Sequence, residues 1–228
     1  MTPSPIAVAV LVSGEGSNLQ ALLDALAGSP LARIVRVVSS RAGAGALARA
    51  QRAGVPTAVL ADPDDAREIV AAAGEAGLVV LAGYLKRVPA GAVARFRGRL
   101  INIHPALLPA FGGSGMHGRR VHQAVLASGV MLSGATVHYV DEEFDRGPII
   151  TQWPVPVRPD DTPESLGARV LEVEHRLLPQ VVLELARLRV PERPVRFSAS
   201  GSTFVTGENV AVDLETAADG RTGGRADR

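Results

Sequence analysis

The chain of 228 residues has the length of one sizeable domain, and 46 % of its residues are apolar, which is enough to bury a full core and excludes global disorder. Its 24 Lys and Arg balance 23 Asp and Glu, so the net charge of +1 gives no electrostatic footprint for nucleic acid or an anionic membrane surface. The lack of cysteine excludes disulfides, thiolate zinc sites and cysteine nucleophiles. No apolar stretch reaches the roughly 18 residues of a membrane span, and the N-terminus lacks a basic segment and a signal cleavage site, so we expect a cytoplasmic protein.

Short apolar runs alternate with helical patterns through the first hundred residues. The run 6–12 precedes a glycine-rich turn at 13–18 and leucines at helical spacing that stop at Gly28. Further strands are predicted at 34–38, 55–60, 78–82 and 100–103, and helices at 44–53, 62–76 and 89–97. This alternation predicts an α/β protein with a Rossmann-like, mostly parallel central sheet and helices on both faces. Such sheets bind ligands beyond the carboxyl ends of their strands, here at 13–18, 83–88 and 102–118.

The second half of the chain is less regular. Thr162 followed by Pro163 predicts the start of a long helix that ends near Leu188. The residues from 214 to 228 are polar and glycine-rich, which predicts a disordered tail. The other predicted elements are a loop at 109–118, a short helix at 121–127, strands at 135–140 and 149–153, and one or two strands within 194–213.

The turn between the first strand and the first helix could bind an anion. Backbone N–H groups of residues 14–18 and the positive end of the helix dipole suit a phosphate. The third glycine of a dinucleotide fingerprint would fall at Leu19, and no GK[ST] motif is present, so a phosphomonoester fits better than NAD or ATP. The alternative is an ordinary turn with Ser17 or Asn18 as the helix N-cap. Glu15 is unfavourable beside a phosphate, so we expect its side chain to point to solvent.

Asn102 and His104 stand at the end of the fifth predicted strand. Strand alternation places both on the same face, about 7 Å apart along the chain, and Pro105 ends the strand. A carboxamide beside an imidazole suits a reaction that builds negative charge on a carbonyl oxygen, because the amide can donate to that oxygen while the imidazole moves a proton. The alternative is a structural histidine with satisfied hydrogen bonds.

Asp145 lies in an acidic turn between the two late strands. A carboxylate near His104 would raise the pKa of the imidazole, whereas a solvated surface loop is the alternative. His138 is expected in the core or packed behind the site. The spacing of His117 and His122 from His104 matches no common metal site, so no metal is expected.

These stretches together resemble the phosphoribosylglycinamide formyltransferase family. The similarity covers about residues 6–190 in family order, through SGEGSNLQALLDA, VVLAGYLKRV, INIHPALLPAFGG, GATVHYVDEEFDRGPII and ARVLEVEHRLLP. The family transfers the formyl group of 10-formyltetrahydrofolate to the amine of 5-phosphoribosylglycinamide in IMP synthesis, giving the N-formyl ribonucleotide and tetrahydrofolate. The resemblance implies a single domain of the formyltransferase fold over 1–213. Its N-terminal half, about 1–100, would bind phosphate, and its C-terminal half, about 101–213, would bind folate and hold the catalytic residues.

The resemblance also implies roles for individual residues. The catalytic set corresponds to Asn102, His104 and Asp145. The ribonucleotide substrate would contact Gly16, Ser17, Asn18 and Glu174. The folate co-substrate would contact Arg67, Leu85, Lys86, Arg87, Val88, Asn102, Asp141, Glu142, Glu143, Phe144 and Asp145. The implied partners are these two small molecules, without metal, nucleic acid or membrane, and the expected state is a monomer or homodimer.

The loop at 109–118 departs from the F/Y-P-G-x-H form of the best-known members, which could alter a mobile lid over the substrate. Related activities remain as alternatives. A formyltetrahydrofolate hydrolase should carry an N-terminal regulatory domain and lack GSNL, and a methionyl-tRNA formyltransferase should carry a further RNA-binding domain. A non-catalytic regulator would bind a phosphoribosyl ligand and turn nothing over.

Overall fold

A computed structural model describes residues 4–200, 203–205 and 211–213. The strands are β1 (Ile6–Val12), β2 (Ala32–Ser39), β3 (Thr57–Val59), β4 (Leu78–Leu81), β5 (Leu100–His104), β6 (Leu132–Tyr139), β7 (Ile149–Pro156), β8 (Ser198–Ser200), β9 (Thr203–Val205) and β10 (Ala211–Asp213). The helices are α1 (Ser17–Leu26), α2 (Gly45–Arg52), α3 (Ala66–Ala73), α4 (Ala90–Arg95), α5 (Arg119–Ser128) and α6 (Pro163–Arg187). The predicted tail at 214–228 lies outside the described residues.

Seven strands form one sheet in the order β3-β2-β1-β4-β5-β6-β7. The first five strands are parallel, and β6 and β7 continue the sheet in antiparallel pairs. The chain winds outward from β1 to β3 and then returns to β4 on the other side of β1, so the strand order reverses between β1 and β4. This is the α/β sheet that the sequence predicts, and its reversal point is the place where such sheets bind ligands. A small antiparallel sheet, β10-β9-β8, follows α6.

The central sheet buries both of its faces. Val8, Val10 and Val12 pack into a cluster with α1, α2, α5 and α6, whereas Ala9 and Leu11 pack into a second cluster with α3 and α4. Alternate residues of a strand point to opposite faces, so one apolar run supplies both cores. The prediction of helices on both faces is therefore confirmed.

Two helix starts show how local sequence sets the boundaries. At α6, Thr162 accepts from the backbone N–H of Ser165, and the Ser165 side chain accepts in return from the backbone of Thr162, which is a capping box followed by a proline in the first turn. At α3, Asp65 accepts from the backbone N–H of Arg67 and is the N-cap. Helix α3 therefore begins at Ala66, later than predicted, because residues before Asp65 form a turn.

Candidate active site

A cleft of about 600 Å³ opens at the carboxyl ends of the parallel strands. Three of its walls, the segments that follow β1, β4 and β5, come from the topology, since β4 lies beside β1, β5 lies beside β4, and all three strands run in the same direction. The remaining walls come from the turn after β6, the start of α5 and one face of α6. The lining includes Asn18 and residues 83–88, 102–105, 113–119 and 140–145. The three stretches that the sequence singled out therefore all contribute to one cleft.

The structure brings Asn102, His104 and Asp145 together at the base of this cleft. His104 Nδ1 lies 3.6 Å from Asp145 Oδ2. His138 joins the group because it pairs with Asn102 across β5 and β6. Its Nε2 lies 3.1 Å from Asn102 Nδ2 and 3.5 Å from Asp145 Oδ1. His138 is thus buried, as expected, and links the carboxamide to the carboxylate.

The turn after β6 holds Asp145 in an unusual conformation. Its φ is +55°, a left-handed value that Asp tolerates better than most residues. Gly147 permits the tight return to β7, because a Cβ there would lie 1.9 Å from the carbonyl oxygen of Tyr139. The backbone N–H of Gly113 donates to Asp145 Oδ2 at 2.9 Å. The carboxylate is therefore oriented from its own turn and from the loop that follows β5.

His104 has one nitrogen committed to the backbone and one facing the carboxylate. Nε2 lies 2.8 Å from the carbonyl oxygen of Phe111, which can only accept, so Nε2 carries a proton. Burial lowers the pKa of His104, and the opposing effects of Asp145 and the Phe111 carbonyl are smaller, so the pKa lies below its usual value. The expected effect of Asp145 is confirmed in direction, since the carboxylate raises the pKa of His104, but the larger effect of burial outweighs it.

Asp145 shows the opposite balance. Burial alone would raise the pKa of its carboxyl, but the neighbouring imidazoles of His138 and His104 and the Gly113 N–H outweigh this effect. The pKa of Asp145 is therefore lowered, and the group remains ionised at neutral pH. A carboxylate faces an imidazole nitrogen that can take up a proton.

The other end of the cleft is formed by the start of α1. Gly16 is the N-cap with φ +76°, and a Cβ there would lie 2.6 Å from Ala46 Cβ. No side chain caps the helix, so the alternative of Ser17 or Asn18 as an ordinary N-cap is excluded, and the first N–H groups of α1 stay available. Glu15 is exposed, as expected. Gly16 and Ser17 stand beside the cleft lining rather than within it.

Asn18 and Glu174 meet across this end of the cleft. Asn18 Nδ2 donates to Glu174 Oε2 at 2.9 Å, although the two residues are 156 positions apart. Glu174 is 6 % exposed, and burial raises its pKa to about 7 despite the hydrogen bond from Asn18. Asn18 Oδ1 is buried without a partner in the described part of the chain. These two of the four predicted ribonucleotide contacts therefore face one space, and the Asn18 oxygen has hydrogen-bonding capacity left.

All the residues that the resemblance assigned to folate line the cleft, except Arg67. Residues 85–88 and 141–145 line the cleft opposite one another, and the Arg87 guanidinium donates to the carbonyl oxygen of Glu142. The backbone N–H of Leu85 donates to Ser13 Oγ at 2.9 Å, which ties this wall to the end of β1. Arg67 is different: its side chain is 92 % exposed, pairs with Asp65 on α3, and is not among the lining residues.

A sequence profile described as "Formyl transferase" matches residues 6–182. The chain belongs to the formyl transferase family. Its sequence is 42 % identical over 196 residues to phosphoribosylglycinamide formyltransferase, chloroplastic, from Arabidopsis thaliana, covering 82 % of this chain and 67 % of the relative. It is 38 % identical to phosphoribosylglycinamide formyltransferase from Haemophilus influenzae, covering 77 % and 84 %.

The fold of this formyl transferase is also similar to solved structures. Glycinamide ribonucleotide transformylase 1 from Symbiobacterium toebii superposes with a TM-score of 0.73 at 39 % identity, covering 86 % of this chain and 92 % of that one. The chain spans about two thirds of the plant relatives that it matches. The family resemblance deduced from the motifs is thereby confirmed.

Two cleft residues of this formyl transferase were missed by the reasoning from sequence. Tyr84 has a buried hydroxyl without a partner among the described residues, and burial raises its pKa to about 12. His122 was weighed only as a metal ligand, yet it lines the cleft from α5. Within the described residues, no cluster of His, Asp or Glu could hold a metal, and no helix is long and apolar enough to cross a membrane.

Proposed function

We propose that this chain transfers the formyl group of 10-formyltetrahydrofolate to the amine of 5-phosphoribosylglycinamide in purine synthesis. The convergence of Asn102, His104 and Asp145 on an open cleft carries this proposal. The names and coverage of its relatives support it, as does the uncapped N-terminus of α1 at the far end of the cleft. A carboxylate beside a neutral, buried imidazole is suited to proton transfer, which a protein that only binds a phosphoribosyl ligand does not require.

In this proposal the two substrates enter from opposite ends. The phosphate lies at the N–H groups of α1 near Gly16, Ser17 and Asn18, where the helix dipole favours an anion. Glu174 faces the ribose. The folate lies between residues 85–88 and 141–145, where exposed apolar side chains such as Leu85 and Phe144 flank the cleft. The contact of Arg67 with folate stays a prediction.

Attack of the amine on the formyl carbon forms a tetrahedral intermediate with a negative oxygen. Asn102 uses one N–H toward His138, and a carboxamide has two, so the other can donate to this oxygen. Such a donor is typically worth about 3–4 kcal/mol of transition-state stabilisation. The donor is preorganised because β6 holds His138 directly opposite Asn102.

The attacking amine must lose a proton and the departing folate nitrogen must gain one. His104 Nδ1 has a free lone pair in the neutral ring, because the ring proton is on Nε2, which donates a hydrogen bond to the carbonyl oxygen of Phe111. Nδ1 can take up the amine proton, which makes the ring an imidazolium. The protonated Nδ1 then faces the Asp145 carboxylate, whose Oδ2 lies 3.6 Å from it in this structure. Returning this proton to the folate nitrogen completes the transfer, and no covalent enzyme intermediate is needed.

The remaining expectations are part of the same proposal. We assign residues 1–213 to a single domain with a phosphate-binding first half and a catalytic, folate-binding second half. Its partners are the two small molecules, it works as a monomer or homodimer, and it resides in the cytoplasm. The near-zero net charge of the chain supports the absence of a nucleic acid partner.

The test is an absorbance assay of tetrahydrofolate formation with phosphoribosylglycinamide present or absent. The expected result is turnover that depends on the amine, whereas amine-independent turnover would indicate a hydrolase and none would indicate a binding protein. Asp145→Asn keeps the shape and removes the charge, so kcat should fall by about 10²–10⁴ while calorimetric binding of the ribonucleotide persists. Asp24→Asn, an exposed change on α1, is the matched control.

A further inference from the structure

His122 occupies a wall of the cleft that the proposed chemistry does not use. It lies in the first turn of α5, is 7 % exposed and lines the cleft. The Cδ2 and Nε2 edge of its ring packs on Gly167 of α6, where a Cβ would come within 3.0 and 3.2 Å of these two atoms. The glycine at 167 therefore makes room for this imidazole.

The position of His122 lies between the two functional ends of the cleft. Gly167 and Glu174 are seven residues apart on the same side of α6, which corresponds to about 10 Å along the helix. On its other side His122 is near enough to His104 for their charges to interact. His122 therefore lines the same cleft as Asn18, Glu174 and His104, the residues that a bound ribonucleotide would span.

The ring of His122 has hydrogen-bonding capacity that the protein leaves unused. Its Nδ1 is buried and has no partner in the described part of the chain. Burial of a ring nitrogen without a partner is unfavourable, and an apolar side chain would fill the same wall at lower cost. Burial also lowers the pKa of His122, with a smaller effect from His104, so the ring is neutral at pH 7 and can accept or donate one hydrogen bond at each nitrogen.

We propose that His122 is a substrate-positioning residue that hydrogen-bonds the uncharged middle of the ribonucleotide, its ribose hydroxyls or its amide, and so directs the amine toward His104. This inference rests on the proposed function, because it assumes that a phosphoribosyl amine spans the cleft. We expect His122 to affect binding of the ribonucleotide and not of the folate, since the proposed folate-binding residues 85–88 and 141–145 lie elsewhere in the cleft.

The first test compares His122→Leu and His122→Asn with the wild type in steady-state formyl transfer. The KM for phosphoribosylglycinamide should rise about tenfold in His122→Leu and less in His122→Asn, which keeps a polar group near Nδ1. The KM for 10-formyltetrahydrofolate should stay within about twofold, and the melting temperature of His122→Leu should equal or exceed that of the wild type. A merely structural histidine would instead lower the melting temperature and leave the KM ratio unchanged.

Gly167→Ala provides a second test that leaves the imidazole chemically intact. The new methyl group must displace the ring by a few tenths of an ångström, while alanine favours the helix more than glycine does. The KM for the ribonucleotide should rise and the KM for the folate should not. His175→Leu is the matched control, because this histidine of α6 also has a ring nitrogen without a partner among the described residues but lies outside the cleft lining.

The outcomes separate this inference from the function on which it rests. A wild type that fails to formylate phosphoribosylglycinamide would overturn the proposed function. A wild type that does so, with an unchanged ribonucleotide KM in both His122→Leu and Gly167→Ala, would overturn the role of His122 alone.

Discussion

Glu174 should make the stability of this protein fall as the pH rises from about 4.5 to about 7. Its pKa is about 7 in the folded chain and near 4.5 when unfolded, because folding buries the carboxyl and the hydrogen bond from the Asn18 amide offsets only part of this effect. Between these values the folded state binds more protons than the unfolded state, so the free energy of unfolding decreases with pH and levels off above about pH 7. At about 1.4 kcal/mol per pKa unit, the gap corresponds to about 3 kcal/mol.

Glu174→Gln removes this ionisation while keeping the shape and an oxygen that accepts from Asn18. The variant should be more stable than the wild type by up to about 3 kcal/mol at pH 8, and by less than about 1 kcal/mol at pH 5. For a chain of this size, the difference at pH 8 corresponds to a rise of roughly 6–12 °C in melting temperature. Urea or thermal unfolding at four or five pH values between 5 and 8 measures it.

Glu184 supplies the control on the same helix. It is also buried, but its carboxylate receives the Arg187 guanidinium at 2.7 Å. Glu184→Gln breaks an ion pair, so it should lower stability at pH 8, the opposite sign to Glu174→Gln. A stability gain of Glu174→Gln that is the same at pH 5 and pH 8, or a loss at pH 8, would refute the argument that burial raises the pKa of Glu174.

Two further substitutions test the two ends of the cleft. Asn102→Ala should lower kcat by about 10²–10³, with little change in the Kd of the ribonucleotide, because it removes a donor needed only in the transition state. Stopped-flow single turnovers distinguish the chemical step from product release. A rise in Kd without a fall in kcat would count against this role. Gly16→Ala should weaken binding of phosphoribosylglycinamide and destabilise the protein by about 1 kcal/mol or more, because a left-handed φ and the close approach of Ala46 both oppose a side chain. Calorimetric titration and thermal melts measure these effects, and an unaltered Kd would contradict the placement of the phosphate there.

Much of the fold and part of the site could be predicted because they depend on local patterns. Apolar runs that alternate with helical spacing specify parallel strands, and parallel strands gather their carboxyl ends at one edge. This is why the sequence alone predicts that the turn after β1 and the residues Asn102 and His104 lie at one edge of the sheet. The alternation of β5 likewise put the carboxamide and the imidazole on one face.

What could not be predicted depends on contacts between distant parts of the chain. The link from Asn102 through His138 to Asp145 requires the register of β5 against β6, which no periodicity specifies. The hydrogen bond from Asn18 to Glu174 requires the packing of α6 across α1. The effect of Asp145 on the pKa of His104 was predicted in the right direction, whereas the larger effect of burial was not predicted, because the extent of burial cannot be deduced from the sequence.

The two carboxyl groups of the cleft illustrate how environment divides their roles. Asp145 receives a backbone N–H from Gly113 and faces two imidazoles, so its pKa falls and it can hold an imidazolium beside the reacting carbon. Glu174 accepts from the Asn18 amide, but burial dominates, so its pKa rises to about 7 and protonation gives a neutral carboxyl near neutral pH. A neutral carboxyl near the N-terminus of α1 does not repel a phosphate and can hydrogen-bond ribose hydroxyls. In the proposed mechanism, exchanging the two environments would place a charge beside the phosphate and leave none beside His104, so the proposed formyl transfer requires this difference between the two carboxyl groups.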